Sequence, residues 1–260
     1  RNDACWAAAK GLGGADVIFG QVLSARTLLM AFKIGDAYRI ARALAFEIPN
    51  FAVERPRDWM AKERLISQAT SLAEQAPGAR NAMGVILFSR GLAHYIRGEW
   101  RQVVDLHSRA EAIFRSECTG MVWELSTLTT TQLETYVWFG RWAEIARRAP
   151  RAIHEAQERG DLYTETFIRC GAMSFVALMQ NNPESARRET AQAIKQWSRR
   201  GFHAQHITHL RYTLLTHLYC GEFEQAEKLL LDNWRALSRS FLLRVPLVRI
   251  LIGQLCAGCT

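Results

Sequence analysis

Three histidines stand at helical spacing in the C-terminal third of the chain, at His203, His206 and His209. Residues three apart on a helix are neighbours, so a pair of these imidazoles could hold a metal ion. However, each step of three residues drifts by about 60° around a helix, and no carboxylate follows nearby. We therefore interpret them as a helix start whose imidazoles cap, pack or face solvent, and we predict no metal and no cofactor.

Other candidate motifs lack the context that their chemistry requires. Cys256 and Cys259 form a CxxC pair with no second pair nearby, which we interpret as coincidence rather than a redox or zinc site. The glycine-rich segment 11–14 lacks both the Lys-Ser/Thr and the preceding strand of a phosphate-binding loop. Kinase loops, nucleophile elbows and zinc helices are absent from the sequence. We predict that this chain is not itself an enzyme.

Binding surfaces are the remaining candidates for function. In helical-hairpin repeats the first helix of each pair lines the concave side, which commonly holds a peptide or a neighbouring domain. Polar residues on these helices that have no evident structural role are the candidate contacts, although each could also be a solvated group or a contact between repeats. The partner-binding candidates are Arg90, His94, Arg169, His206, Arg211, Arg244 and Arg249.

The elements that carry these residues are predicted to be helices, because apolar residues recur every three to four positions and no segment alternates long enough for a strand. The N-terminal part predicts a short helix from Asp3 and helices over about 15–34, 36–50, 57–76 and 81–97. Beyond it, second helices of each pair are predicted at about 99–116, 142–158, 183–199 and 222–238. The first helices of those pairs are predicted at about 121–139, 161–180, 203–220 and 241–255.

A turn signature separates paired helices. It reads Gly98-Glu99-Trp100, Gly140-Arg141-Trp142 and Gly221-Glu222-Phe223, with weaker forms at Gly35 and Asn181. We expect the glycine to end one helix, the acid to cap the next helix, and the aromatic residue to wedge between neighbouring hairpins.

The signature recurs at a nearly constant interval. Turn positions 98, 140, 181 and 221 are 42, 41 and 40 residues apart. Self-similarity at this period, one helical hairpin per unit, predicts an all-α fold, an α-solenoid of antiparallel hairpins similar to tetratricopeptide repeats. We predict a single domain over residues 1–260, less regular over 1–80 and regularly paired over 81–260. We expect the last helix to expose an apolar face that favours self-association or a continuation of the chain.

Composition restricts the partners and the cellular location that we predict. No apolar run approaches the length of a membrane span, so no membrane partner is predicted. The six cysteines are scattered rather than arranged as a disulfide framework, which favours a reduced, cytoplasmic protein. The net charge is +8, and 28 of the 33 basic residues are arginines. We interpret the excess of arginine as charge on solvated helix faces. The alternative is that the arginines bind a nucleic-acid partner.

Several strings resemble a known family: residues 90–100, 118–124, 159–163, 201–206 and 240–245. Together they resemble the C-terminal tetratricopeptide-like region of large multidomain bacterial serine/threonine protein kinases that carry a predicted ATPase module. The resemblance covers the chain from about residue 15 onward. Arg1 in place of Met predicts that the chain is either a piece of a longer protein or a processed or trimmed form.

The resemblance implies a regulatory region without catalytic residues, which binds a protein or peptide partner or packs on other domains of the parent chain. Similar repeats also serve as effector-sensing regions of transcription regulators, and this function is the alternative.

Overall fold

The computed structural model describes residues 1–13, 16–54 and 58–259, and these residues form helices joined by short turns, with no strand among them. The all-α fold class is therefore confirmed, and the succession of paired helices is consistent with a helical-repeat protein. From the N-terminus, the first six helices in chain order are α1 (Asn2–Gly13), α2 (Val17–Ile34), α3 (Ala37–Glu54), α4 (Trp59–Glu74), α5 (Ala79–Arg97) and α6 (Trp100–Glu117). They are followed by α7 (Val122–Trp138), α8 (Trp142–Glu158), α9 (Leu162–Ile168), a π-helical segment (Arg169–Met173), α10 (Ser174–Met179), α11 (Pro183–Gln196), α12 (Ala204–Tyr219), α13 (Phe223–Arg239), a 3₁₀ turn (Leu242–Arg244) and α14 (Pro246–Cys259).

A residue with a left-handed backbone conformation ends the first helix of each predicted pair. The φ angles at the predicted turn positions range from 54° at Asn181 to 77° at Gly98. At Gly98 the backbone N–H groups of Gly98 and Glu99 donate to the carbonyls of Tyr95 and His94, each at 3.0 Å. This pair of bonds is a Schellman turn. The same pair closes the turns at positions 140, 181 and 221, so these turns are equivalent in structure as well as in sequence.

The acid of the turn signature does not cap the following helix, contrary to our expectation. Glu99 and Glu222 occupy the N-cap positions of α6 and α13 without accepting a capping hydrogen bond from the backbone. Each carboxylate instead accepts a hydrogen bond from a histidine of the preceding helix: His94 Nδ1 at 2.5 Å and His217 Nδ1 at 2.6 Å. Shorter side chains such as Asp and Asn suit N-caps better, and Asp161 caps α9 in this way.

The aromatic residue of the turn signature does not wedge between hairpins at two of its three sites. Trp142 and Phe223 are 48% and 56% exposed. They stand in the first turns of α8 and α13, ahead of the first buried positions of those helices at Ile145 and Ala226. The expectation was therefore wrong there, because burial begins only after the aromatic position.

The chain divides into two compact units, residues 1–128 and residues 129–260, with the boundary inside α7. In the first unit α5 packs against α3 and α6, and the buried core includes Ile48, Ile86, Phe88 and Phe114. We expected this helix to end near Pro49 and Asn50, but it continues to Glu54 with Pro49 inside it. The single domain over residues 1–260 stays a prediction.

In the second unit α12 packs against α11, α13 and α14. The apolar residues of α14 face this core, and Leu251, Ile252 and Leu255 are buried. The expectation of an exposed last helix was therefore wrong, apart from Ile250, which is 57% exposed. Across the described ranges no helix has the length and hydropathy that a membrane crossing requires.

Candidate interaction surface

The outer face of α2 is a continuous apolar stripe exposed to solvent. The exposed fractions are 56% at Ile18, 56% at Val22, 64% at Leu29 and 54% at Phe32. With exposed Ala25, these residues follow one another at steps of four and three, which is the spacing of the contact seam in helix–helix pairing. We call these five residues the α2 stripe.

The opposite face of α2 carries small and polar residues, and it is buried. Gly20, Ser24, Thr27 and Ala31 also follow heptad spacing and face α1 and α3. A Cβ added to Gly20 would lie 2.7 Å from the Cα of Gly13, so this face permits a very close approach of α1 and α2. An ordinary surface helix buries its large apolar side chains and exposes its polar ones. In α2 this arrangement is reversed.

The charges of α2 are all basic. Arg26 and Lys33 are exposed, and no acidic residue occurs in Val17–Ile34. A contiguous exposed apolar surface with a charged border is typical of a protein-interaction site. The basic border favours a partner segment whose own border is acidic.

Two of the sequence-predicted contacts lie in the first unit, in a group of basic residues around Lys62. His94 is buried and bonded to Glu99, and burial lowers the pKa of His94 although the hydrogen bond to Glu99 opposes the shift. Burial also lowers the pKa of Lys62 to about 8, and the nearby charges of Arg97 and Arg90 act on it as well. Arg90 itself is half-buried. His94 is therefore a structural group of the α5–α6 turn in this structure.

Two further predicted contacts, Arg169 and Arg211, carry ion pairs inside the second unit. Arg169 bonds to Glu165 at 2.9 Å and to Glu189 at 2.8 Å. Arg211 is 8% exposed and forms an ion pair with Glu134, which is 4% exposed. A reversal of charge at Arg211 would consequently act on stability before it acted on any partner.

The polar interior around Glu134 includes more than the ion pair. Tyr212 is fully buried, and its hydroxyl donates to the Glu134 carboxylate at 3.2 Å. Gly171, in the π-helical segment, faces the same group, since an added Cβ would lie 3.7 Å from Glu134 Oε2 and 3.1 Å from Thr208 Cγ2. Glu134 was not predicted from the sequence, because α7 carries no basic residue that would mark it as one half of an ion pair.

The histidine cluster is a helix start. His206 Nδ1 accepts a hydrogen bond from the His203 backbone N–H at 3.0 Å, and His203 Nδ1 accepts one from the Trp197 indole at 3.0 Å. The Phe202 ring stacks on the His206 ring, with centroids 5.3 Å apart. Burial lowers the pKa of His209 to about 4. Among the described residues no group of three or more His, Cys, Asp and Glu side chains is arranged to hold a metal ion.

The remaining predicted contacts, Arg244 and Arg249, are exposed. The Arg244 guanidinium lies 5.0 Å from the centroid of the Phe241 ring, and Arg249 is on the solvent side of α14. The structure thus does not bring the seven sequence-predicted residues together within either unit. Their role in partner binding stays a prediction.

Comparison with known proteins found no matching family model, no matching curated protein and no matching solved structure.

Proposed function

We propose that this chain is a non-catalytic helical-repeat scaffold that binds a protein partner through the α2 stripe. The observation that carries the proposal is the exposure of large apolar side chains at heptad spacing on α2. The occupant that fits is an amphipathic helix, because its own apolar seam can pack on this spacing. Acidic residues beside that seam would complement Arg26 and Lys33.

The proposed setting is a cytoplasmic signalling protein of the bacterial kinase and ATPase type. The sequence resemblance described above supports this setting, and the absence of kinase motifs from the chain limits the proposed role to regulation. In that setting the helix that covers the α2 stripe belongs either to another domain of the parent protein or to a separate regulator. Both are the same kind of occupant, a protein helix.

Site-specific photo-crosslinking tests the proposal. A photoreactive phenylalanine analogue replaces Leu29 in the protein expressed in its source cells, and the crosslinked segment is identified by mass spectrometry. We expect one dominant segment with apolar residues at heptad spacing and acidic flanks. A synthetic peptide of that segment should then bind the purified chain, and Leu29→Glu should weaken binding by about tenfold or more, because it places a charge in an apolar contact.

Gln192 is the matched control position, since it is exposed on α11 and has no apolar surroundings of the α2 kind. The analogue at Gln192 should give no dominant crosslink. Equal crosslinking from both positions, or a peptide that binds Leu29→Glu as well as it binds the unchanged chain, would contradict the proposal.

A further inference from the structure

A cavity of about 220 Å³ lies in the first unit and is independent of the α2 stripe. Its walls come from α1, α3, α5 and the segment that leads into α7. The lining residues that carry the argument are Trp6, Lys10, Tyr38, Arg42, Asn81 and Glu124. Four of them lie on α1 and α3, while Glu124 lies 114 positions beyond Lys10. The fold therefore assembles this group from distant segments.

Glu124 is the central polar group of the wall. It is 1% exposed, and its Oε1 atom accepts a hydrogen bond from Lys10 Nζ at 2.5 Å. Its Oε2 atom is buried and has no hydrogen-bond partner in the described part of the chain. A buried carboxylate oxygen without a donor costs free energy, so a donor supplied by a bound molecule would be stabilising here.

Arg42 offers the opposite hydrogen-bonding group. One of its terminal nitrogens binds Asp3 Oδ1 at 2.7 Å, and its guanidinium lies over the Trp6 and Tyr38 rings at 4.5 Å and 5.1 Å. These contacts hold the guanidinium in place. Its Nε atom is buried and, within the described ranges, lacks a hydrogen-bond acceptor. The lining residues thus include one donor and one acceptor that are not used by the protein.

The charges around the cavity balance. The charged lining residues are Lys10, Arg42 and Glu124. Lys10 pairs with Glu124, and Arg42 pairs with Asp3, which does not itself line the cavity, so the set holds two positive and two negative groups. A phosphate or a polyamine would leave this set with uncompensated charge, whereas a molecule that carries both signs would not. The volume is that of about seven water molecules and is smaller than a drug-sized pocket, so the ligand must be small.

We propose that this cavity binds a small zwitterion of the α-amino acid class. The ligand's ammonium group donates to Glu124, and its carboxylate accepts from Arg42 and neighbouring donors. Val85 and Met121, which also line the cavity, supply apolar contacts for a short side chain. The aromatic rings of Trp6 and Tyr38 fix the cationic side chains rather than the ligand.

Calorimetric titration of the purified chain with each of the proteinogenic amino acids at millimolar concentration tests this site. At least one amino acid should bind saturably, and its N-acetyl and amide derivatives should bind about tenfold or more weakly, because each lacks one of the two charges. Glu124→Gln should weaken binding to a similar extent. Inorganic phosphate and spermidine are the alternative ligands and should not bind.

A second variant protects the test against loss of folding in Glu124→Gln. Thr119 is exposed and lines the cavity, so Thr119→Trp should obstruct the site without disturbing the core. Ser116→Trp, at an exposed position of α6 that does not line the cavity, is its control and should bind normally. The proposal is overturned if no amino acid binds, if phosphate or spermidine binds in its place, or if Thr119→Trp binds as well as Ser116→Trp.

Discussion

At the scale of single residues, His107 makes stability depend on pH. It is fully buried between α5 and α6, where its Nε2 lies 3.2 Å from the Phe88 carbonyl. Burial lowers the pKa of His107 from 6.5 to about 4. The unfolded chain therefore binds more protons than the folded chain between these values, and stability is complete above pH 6.5 and declines until about pH 4.

We expect this histidine to account for about 3 kcal/mol of lost unfolding free energy across that window. His107→Gln should reduce the pH dependence of stability, measured by urea unfolding at pH 7 and pH 5. His154→Gln, at an exposed position of α8, is the control substitution for this measurement. Equal pH dependence in the unchanged chain and in His107→Gln would contradict the expectation.

The buried ion pair of the second unit gives another residue-level prediction. Glu134→Ala leaves the Arg211 charge buried without its carboxylate, which should cost about 3–5 kcal/mol of unfolding free energy. The double variant Glu134→Leu and Arg211→Met removes both charges and should be more stable than Glu134→Ala alone. Urea unfolding of all three proteins measures the difference.

The matched control for this pair is Glu144, whose ion pair with Arg147 is exposed. Glu144→Ala should leave the unfolding midpoint unchanged, because exposed pairs contribute little. If Glu134→Ala were as stable as Glu144→Ala, the Glu134–Arg211 pair would not hold α7 and α12 together as the geometry indicates.

At the scale of helices, α5 and α6 meet at Gly91. A Cβ at this position would overlap the ring of His107, so Gly91→Ala should cost about 1–3 kcal/mol through overpacking. Gly253, in α14, has open space around it, and Gly253→Ala should raise stability by up to about 1 kcal/mol through helix propensity. Thermal unfolding distinguishes them, and a Gly91→Ala variant as stable as Gly253→Ala would contradict the packing.

Helix existence was predictable from the sequence because apolar periodicity and turn glycines mark helices locally. A second series of left-handed glycines lies at the other helix junctions, at Gly78, Gly120, Gly160 and Gly201. The ends of helices were less predictable: α3 was expected to end near Pro49 and Asn50, but it continues to Glu54, and Ala52 in this last turn is buried.

The candidate surface could not be predicted from the pattern of α2 alone. Both faces of this helix have heptad spacing, one with large residues and one with small residues. The buried face is decided by the close approach at Gly13 and Gly20, a tertiary contact that periodicity does not reveal. The cavity escaped prediction for a similar reason, since Lys10 and Glu124 meet only in the folded chain.

At the scale of the whole molecule, the net charge of +8 raises the question of a nucleic-acid partner. Several exposed arginines bond to acids of their own helices: Arg115 to Glu111, Arg147 to Glu144, and Arg151 to Glu155. Positive charge that is compensated locally releases few counterions from a nucleic acid. Strong binding needs many uncompensated contacts with phosphate groups.

We therefore expect only weak binding to a short DNA duplex, with a dissociation constant of about 10 µM or weaker at physiological salt, measured by fluorescence anisotropy. Charge-reversed variants of the exposed candidates Arg244 and Arg249 should differ little from the unchanged chain. Submicromolar affinity that falls steeply with salt, and that is lost in those variants, would favour the nucleic-acid function over the protein-binding scaffold. If the unchanged chain and the charge-reversed variants bind the DNA duplex equally weakly, the α2 stripe remains the surface on which we propose that partner recognition depends.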